Sequence, residues 1–261
     1  MFEIERLQAY LRKVAQLQYQ AISVPPFSLF SHSYEALKFF NYAIPDYVLG
    51  EKPGSSLAES LAQLRLTFRQ NDRLPRFEFI DEYDPHLALR LAENGFIEES
   101  RLYLMVCTPN SFRPVEQPAG LEVRRLTATS SAKDIRDYLL TQQHGFEPDT
   151  LEVPSEAQVE LKRLSLDTGR NYLAHLKGQP ACAGLYTFPS DKLTEIAGIA
   201  TLEAFRRQGI GSYLTSRLVQ DAFKEGVTLA FLTAADTRAG RVNERIGFQP
   251  FATMLAYSDP E

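Results

Sequence analysis

"FRRQGIGSYL", residues 205–214, sets two arginines and a glutamine before two glycines. A strand-like stretch, LTEIAGIAT (193–201), precedes it. Ile210, Leu214, Leu218 and Ala222 follow on one helical stripe, with Gly226 as its stop. A helix start leaves unpaired N–H groups and a partial positive charge. Glycines let a ligand approach the backbone closely, and arginines add charge-assisted donors. A strand running into such a turn is a diphosphate cradle. Taken alone, the stretch also fits an ordinary turn with solvated arginines. A dinucleotide site is excluded, because GxGxxG is absent and no acidic residue is placed for a ribose.

Outward from this stretch the order of elements is regular. LEVRRL (121–126) reads as a strand, and Ser131-x-x-Asp134 and Ser155-x-x-Gln158 mark two helix starts. NYLAHLKG and QPACAGLYTF form two strands joined by a turn at Lys177-Gly178. After the long helix come the strand VTLAFLTA, a short helix ending at Gly247, and the strand FATMLAY. Before residue 108, Ile4, Leu7, Leu11, Val14 and Leu17 predict a helix, and ALKFFNYAI (36–44) a strand. A second helix starts with a capping box at Ser56-x-x-Glu59 and turns Leu57, Leu61, Leu64 and Phe68 inward. RFEFI (76–80) alternates like a strand, Asp84-Pro85 opens a short helix ending at Gly95, and RLYLMVC (101–107) is a strand. TPNSFRPVEQPAG (108–120), with three prolines, reads as a linker.

A weak internal repeat relates the halves. LALRLAENGFIEESRLYLM and AGRVNERIGFQPFATMLAY align Gly95-Phe96 with Gly247-Phe248, 152 positions apart. Where the second copy has RRQGIG, the first has YVLGEKPGSS (47–56), with no basic cluster and with Glu51 where an anion would have to sit.

The 261 residues are 44% hydrophobic and 23% charged, which predicts a packed soluble core. A net charge of −5 without a basic run argues against nucleic acid or an anionic membrane as partner. Two cysteines without a CxxC give neither a disulfide framework nor a zinc site, and the four histidines have no metal-ligand spacing. No signal core or membrane span is read, so a cytosolic protein is expected.

Arg206, Gly209 and Gly211 fill Q/R-x-x-G-x-G/A, and NERIGF (243–248) stands where Y-E-K-L-G-F would. In these two motifs, residues 121–258 resemble the GNAT superfamily of acyl-CoA-dependent N-acyltransferases. The resemblance implies an α/β (α+β) fold with a mixed, mainly antiparallel sheet flanked by helices. The expected organisation is a degenerate GNAT-like copy without a phosphate loop at 1–107, a linker at 108–120 and an N-acetyltransferase domain at 121–261. It implies acetyl-CoA as co-substrate and no metal. Pantetheine would lie near Ile199 and Thr201, and the pyrophosphate on Arg206, Arg207, Gln208, Gly209, Ile210, Gly211 and Ser212. The acceptor is a small-molecule or peptide amine, and the protein a monomer or homodimer.

Glu195 is the candidate base. An amine must lose a proton to attack a thioester. Within a small, apolar strand, partial desolvation is expected to raise the carboxyl pKa. Its position eleven residues before Arg206 matches the base glutamate of histone-type relatives. The alternative is a strand-end glutamate in solvent. Asn243 stands where the family usually has a tyrosine acid. Asparagine delivers no proton but can hydrogen-bond the CoA sulfur. That substitution leaves open a non-catalytic acyl-CoA sensor, or a scaffold. His144 lines the acceptor side or serves as a surface or capping histidine. Cys182 and the Phe39-Phe40-Tyr42 cluster are expected in the core.

Overall fold

Apolar residues at helical spacing build α1 (Phe2–Gln18), in which Ile4, Leu7 and Val14 are buried. The computed structural model describes residues 2–32, 38–50, 57–234 and 236–260. The chain packs into two compact units, Met1–Leu104 with Phe251–Glu261, and Met105–Pro250.

In the first unit α1 is followed by β1 (Gln20–Val24), β2 (Phe27–Ser31), β3 (Asn41–Pro45), α2 (Leu57–Gln70), β4 (Arg76–Ile80), α3 (Leu87–Glu93) and β5 (Ile97–Cys107). β5 ends in the second unit. β1, β2 and β3 are successive antiparallel neighbours, and β3 meets β4 in parallel at a single register pair, Ala43↔Phe77. Leu57, Leu61, Leu64 and Phe68 of α2 close on Phe27, Phe77 and Phe79 of the sheet.

The second unit runs β6 (Leu121–Arg125), α4 (Ala132–Phe146), α5 (Glu156–Ser165), β7 (Gly169–Leu176), β8 (Gln179–Thr187), β9 (Leu193–Thr201), α6 (Ile210–Lys224), β10 (Leu229–Ala234), α7 (Thr237–Ile246) and the start of β11 (Gln249–Ser258). β6 through β9 are antiparallel neighbours in chain order, and β9 pairs with β10 in parallel. One face packs Tyr172, Cys182, Tyr186 and Ile196 against Leu214, Leu218 and Ala222 of α6. The other packs Leu173 and Ala183 against Ile135, Tyr138 and Val159 of α4 and α5. Each unit is thus a mixed, mostly antiparallel sheet flanked by helices.

The local signals hold where a side chain carries them. Ser131 Oγ accepts the Asp134 N–H at 3.0 Å, and Ser155 with Gln158 forms a complete capping box. Lys177 and Gly178 both adopt left-handed φ, 51° and 79°, as the tight β7–β8 turn requires.

Several expectations are corrected. β1 and β2 are not in the sequence reading; they are short and separated only by Pro25-Pro26. The strand expected at 36–44 is instead a 3-10 turn at Lys38–Phe40 followed by β3. Phe39 and Phe40 are exposed rather than core. Asp84 does not cap α3, whose N-cap is His86. The buried Asp84 carboxylate accepts the Leu49 and His86 N–H groups. Residues 36, 37 and 51–56, including Glu51, Ser56 and most of the sequence aligned with RRQGIG, lie outside the described residues.

The packing units also differ from the expected boundaries. Phe251–Glu261 groups with the first unit, because Met254–Ser258 pairs antiparallel with β4 and buries Leu255 and Tyr257 in that core. The 108–120 stretch packs onto the second unit. Arg113 N–H donates to the Ile246 carbonyl, Val115 N–H donates to Ser216 Oγ, and Phe112 meets Phe223 edge-on at 5.7 Å.

Candidate active site

The site begins where two strands part. β9 and β10 are in register at Leu193↔Leu229, Thr194↔Ala230 and Glu195↔Phe231, and no pair follows among the described residues. Beyond Glu195, β9 continues to Thr201 with β8 as its neighbour. Its opposite edge therefore offers backbone groups without a ladder. Ile199 and Thr201 lie on this segment and are half-buried. From Glu195 to Thr201 the strand spans ~20 Å, comparable to an extended pantetheine arm.

A 3-10 turn at Glu203–Phe205 leads from β9 to the loop. Arg207 and Gly209 both take left-handed φ, 63° and 77°. Gly209 is the N-cap of α6 and supplies no side-chain cap. The first helical bond runs from Tyr213 N–H to Gly209 O at 2.9 Å. Among the described residues, no hydrogen bond takes up the N–H groups of Arg207, Gln208, Gly209, Ile210, Gly211 or Ser212. An uncapped helix start with converging N–H groups favours an anion.

The two glycines of the motif differ in their surroundings. A Cβ at Gly209 would meet nothing within 4 Å, so that backbone faces open space. A Cβ at Gly211 would lie 3.2 Å from Thr201 Oγ1, so there glycine lets the helix tuck against β9. Arg206 is turned inward over the backbone. Its Nε donates to the Thr201 carbonyl at 3.1 Å and its Nη2 to the Gly145 carbonyl at 3.0 Å. Gln208 Nε2 donates to the Ala204 carbonyl at 3.3 Å. Arg207 is exposed, and among the described residues its guanidinium has no hydrogen bond or ion pair.

Glu195 occupies the last paired position before the strands part, and is half-buried. Its N–H donates to Thr187 Oγ1 at 2.9 Å, and Thr187 Oγ1 donates to the Glu195 carbonyl at 3.3 Å. Thr194 Oγ1 donates to the Thr187 carbonyl at 2.7 Å. Ile196 packs into the α6-side core, so strand alternation sends Glu195 to the α4 and α5 face.

The other candidates fall apart spatially. Asn243 is half-buried on α7, and its carbonyl accepts the Phe248 N–H at 3.2 Å. Tyr213 OH donates to Gln117 Oε1 at 3.0 Å. Tyr257 OH donates to Glu98 Oε2 at 2.9 Å within the first unit. His144 is half-buried on the last turn of α4. Cys182 is buried, and burial pushes its thiol up to about 11, which leaves it an inert core group. Among the described residues, no three His, Cys, Asp or Glu side chains are grouped to hold a metal ion. None of the described helices is long and apolar enough to cross a membrane.

Sequence reasoning missed the α4 contacts. Gln142 Nε2 donates to the Gly198 carbonyl at 3.0 Å. A Cβ at Gly145 would lie 2.7 Å from Ala200 Cβ, so the end of α4 presses on β9. Nothing in QQHG marks these pairings, since they depend on how α4 lies across the sheet.

The parted parallel pair thus leads directly into an uncapped, glycine-rich helix start. Residues 134–248 match the family described as "Acetyltransferase (GNAT) family", and this part of the chain is a GNAT domain. A GCN5-related N-acetyltransferase from Kribbella flavida is similar at 27% identity, over 99% of this chain and 96% of that one, with TM-score 0.78. A GCN5-related N-acetyltransferase from Sphaerobacter thermophilus shares the fold at 15% identity, over 89% and 76%, with TM-score 0.61. A tandem GNAT protein from the clavulanic acid biosynthesis pathway shares it at 13% identity, over 94% and 86%, with TM-score 0.64. No curated protein sequence matches the chain.

Proposed function

We propose that the protein is an N-acetyltransferase that moves the acetyl group of acetyl-CoA to a primary amine by direct attack. The observation that carries this is the parting of β9 and β10 at Glu195, six residues before the strand end that feeds the uncapped start of α6. Acetyl-CoA brings a thioester whose leaving thiolate has an unperturbed pKa of ~8.5, so departure is tolerable without a strong acid. The N–H groups of residues 207–212 hold the diphosphate, with Arg207 as the side chain free to turn to it. The free edge of β9 at Ile199 and Thr201 pairs with the amide arm. Glu195, directly or through water, takes the proton of the attacking amine.

The acceptor is a small-molecule or peptide amine that approaches from the α4 and α5 face. The first unit acts as a degenerate copy of the domain, so the chain carries one acyl-CoA site and works as a monomer or homodimer in the cytoplasm. A second reading, an acyl-CoA sensor without turnover, is favoured by Asn243 in place of a tyrosine acid.

Acetyl-CoA-dependent release of free thiol across a panel of amino acids, polyamines, aminoglycosides and peptides tests the two readings. Turnover with any amine supports the first, and tight acetyl-CoA binding without turnover supports the second. Glu195→Gln keeps the shape and removes the basicity. Its kcat is expected to fall ~10²–10⁴-fold with acetyl-CoA affinity unchanged. Equal activity of both proteins across pH 6–9 would return Glu195 to a structural role.

A further inference from the structure

β9 carries an irregularity inside the segment assigned above to the pantetheine arm. Ala200 pairs with Ala183 and Ala197 with Leu185, so two residues of β9, Gly198 and Ile199, stand opposite the single Gly184 of β8. This is a β-bulge. Gly198 has φ +62°, and a Cβ there would lie 2.5 Å from Gln142 Nε2. At glycine both signs of φ are accessible, so the Gly198–Ile199 peptide can turn over unless something holds it. Gln142 is what holds it: its Nε2 donates to the Gly198 carbonyl at 3.0 Å. In a trans peptide the N–H points opposite the carbonyl. Fixing the Gly198 carbonyl toward α4 therefore fixes the direction of the Ile199 N–H.

The surroundings make this a rigid hold. The last turn of α4 is set against β9 through the close approach of Gly145 to Ala200. Arg206 ties that turn to the end of β9 by bonding both the Gly145 and Thr201 carbonyls. From the other side, a Cβ at Gly184 would overlap the Ile199 side chain, so β8 leaves Ile199 little room to shift.

We infer that Gln142 is a positioning residue, whose side-chain amide locks the Gly198–Ile199 bulge so that the Ile199 N–H is presented in one fixed direction to the acyl-CoA arm. The inference rests on the proposed acyl-CoA site and adds the helix residue that shapes it. Gln142 touches neither the thioester nor the acceptor in this role.

The test uses two variants of the full chain. Gln142→Met keeps the length and loses the donor. Gln142→Glu is a carboxylate at pH 8, which repels the carbonyl, and recovers a donor as it protonates toward pH 5. Acetyl-CoA affinity is measured by calorimetry at both pH values, against the wild-type protein at the same pH. Amide hydrogen exchange is measured in the ligand-free protein. For Gln142→Met we expect affinity to fall roughly three- to tenfold, the size of one hydrogen bond, with faster exchange concentrated at Ile199 and its neighbours. For Gln142→Glu we expect the loss at pH 8 and a partial recovery at pH 5, in proportion to the carboxyl fraction that is protonated there.

Wild-type affinity and exchange in Gln142→Met would overturn the inference. So would a pH-independent loss in Gln142→Glu accompanied by faster exchange across the whole unit, which assigns Gln142 to general packing. If the wild-type protein fails to bind acetyl-CoA, the proposed function falls, and exchange at Ile199 still decides whether Gln142 holds the bulge.

Discussion

The β3–α2–β4 region of the first unit and the β9–α6–β10 region of the second have one plan and two fates. In each, a parallel pair touches briefly, at Ala43↔Phe77 in one and over three register pairs in the other. In each, a helix joins the two strands, a second helix follows, and a Gly-Phe corner with a buried phenylalanine leads into a long strand. The difference lies in the link from strand to helix. After β9 the chain reads LEAFRRQG and presents free N–H groups at α6. After β3 it begins with Asp46, whose carboxylate accepts a bond from Ser28 Oγ at 2.6 Å. On the proposed function, sheet and helices repeat the scaffold, and the connecting loop sets whether it can take an anion.

The sharpest break of the comparison is at the two Gly-Phe corners. Gly247 has φ +104°, and a Cβ there would overlap the Ser111 carbonyl. Gly95 has φ +86°, but its Cβ would meet Arg65 Nη2 at 3.7 Å, an ordinary contact. Gly247→Ala is therefore expected to destabilise by about 3 kcal/mol or more, as both strain and backbone overlap must be relieved. Gly95→Ala is expected to lose about 1–2 kcal/mol from left-handed strain alone. Denaturant unfolding of both variants checks this. Equal losses would mean that the 108–120 stretch yields easily at Ser111.

At the loop, Gly209→Asp adds a side chain and a negative charge to the exposed face of the α6 start. Acetyl-CoA affinity is expected to fall at least tenfold, ~1.4 kcal/mol. Unchanged affinity in a folded variant would remove the loop from the site. The comparison also fixes a count. Calorimetric titration is expected to give one equivalent of acetyl-CoA per chain. Two would mean that the first unit binds despite having no basic cluster at 47–56.

Much of this was legible because it is local. The α6 stripe, the Ser155 capping box and the Lys177-Gly178 turn each depend on residues within a few positions of one another. The RRQGIG loop was legible for the same reason, and so was Gly247 as a helix stop. What was not legible depends on residues brought together by packing. β11 completes the first unit because Met254–Ser258 finds β4, 174 to 182 positions upstream, and FATMLAY carries no mark of which sheet it joins. The loop arginines looked alike in sequence. Only the position of Gly145 on α4 turns Arg206 into a brace and leaves Arg207 free. Gln142 was invisible for the same reason.

The smallest expected effect concerns Asn243. It lies on α7 just before the Gly-Phe corner of the second unit, at the position to which the GNAT resemblance assigns a tyrosine acid. Asn243→Tyr would place a phenol there. Its pKa of ~10 lies above that of the leaving thiol, so it stays protonated and able to donate. If Asn243 only hydrogen-bonds the sulfur, kcat is expected to rise modestly at alkaline pH, where solvent protons are scarcest, with little change in acetyl-CoA affinity. Asn243 is half-buried on α7. Its backbone bond to Phe248 does not depend on the side chain. The measurement is kcat and acetyl-CoA affinity for both proteins from pH 7 to 9. A fall in both would show that Asn243 packs against the CoA arm. The second unit would then differ from its relatives in the shape of its thiol pocket, and the missing acid would be a side effect of that shape.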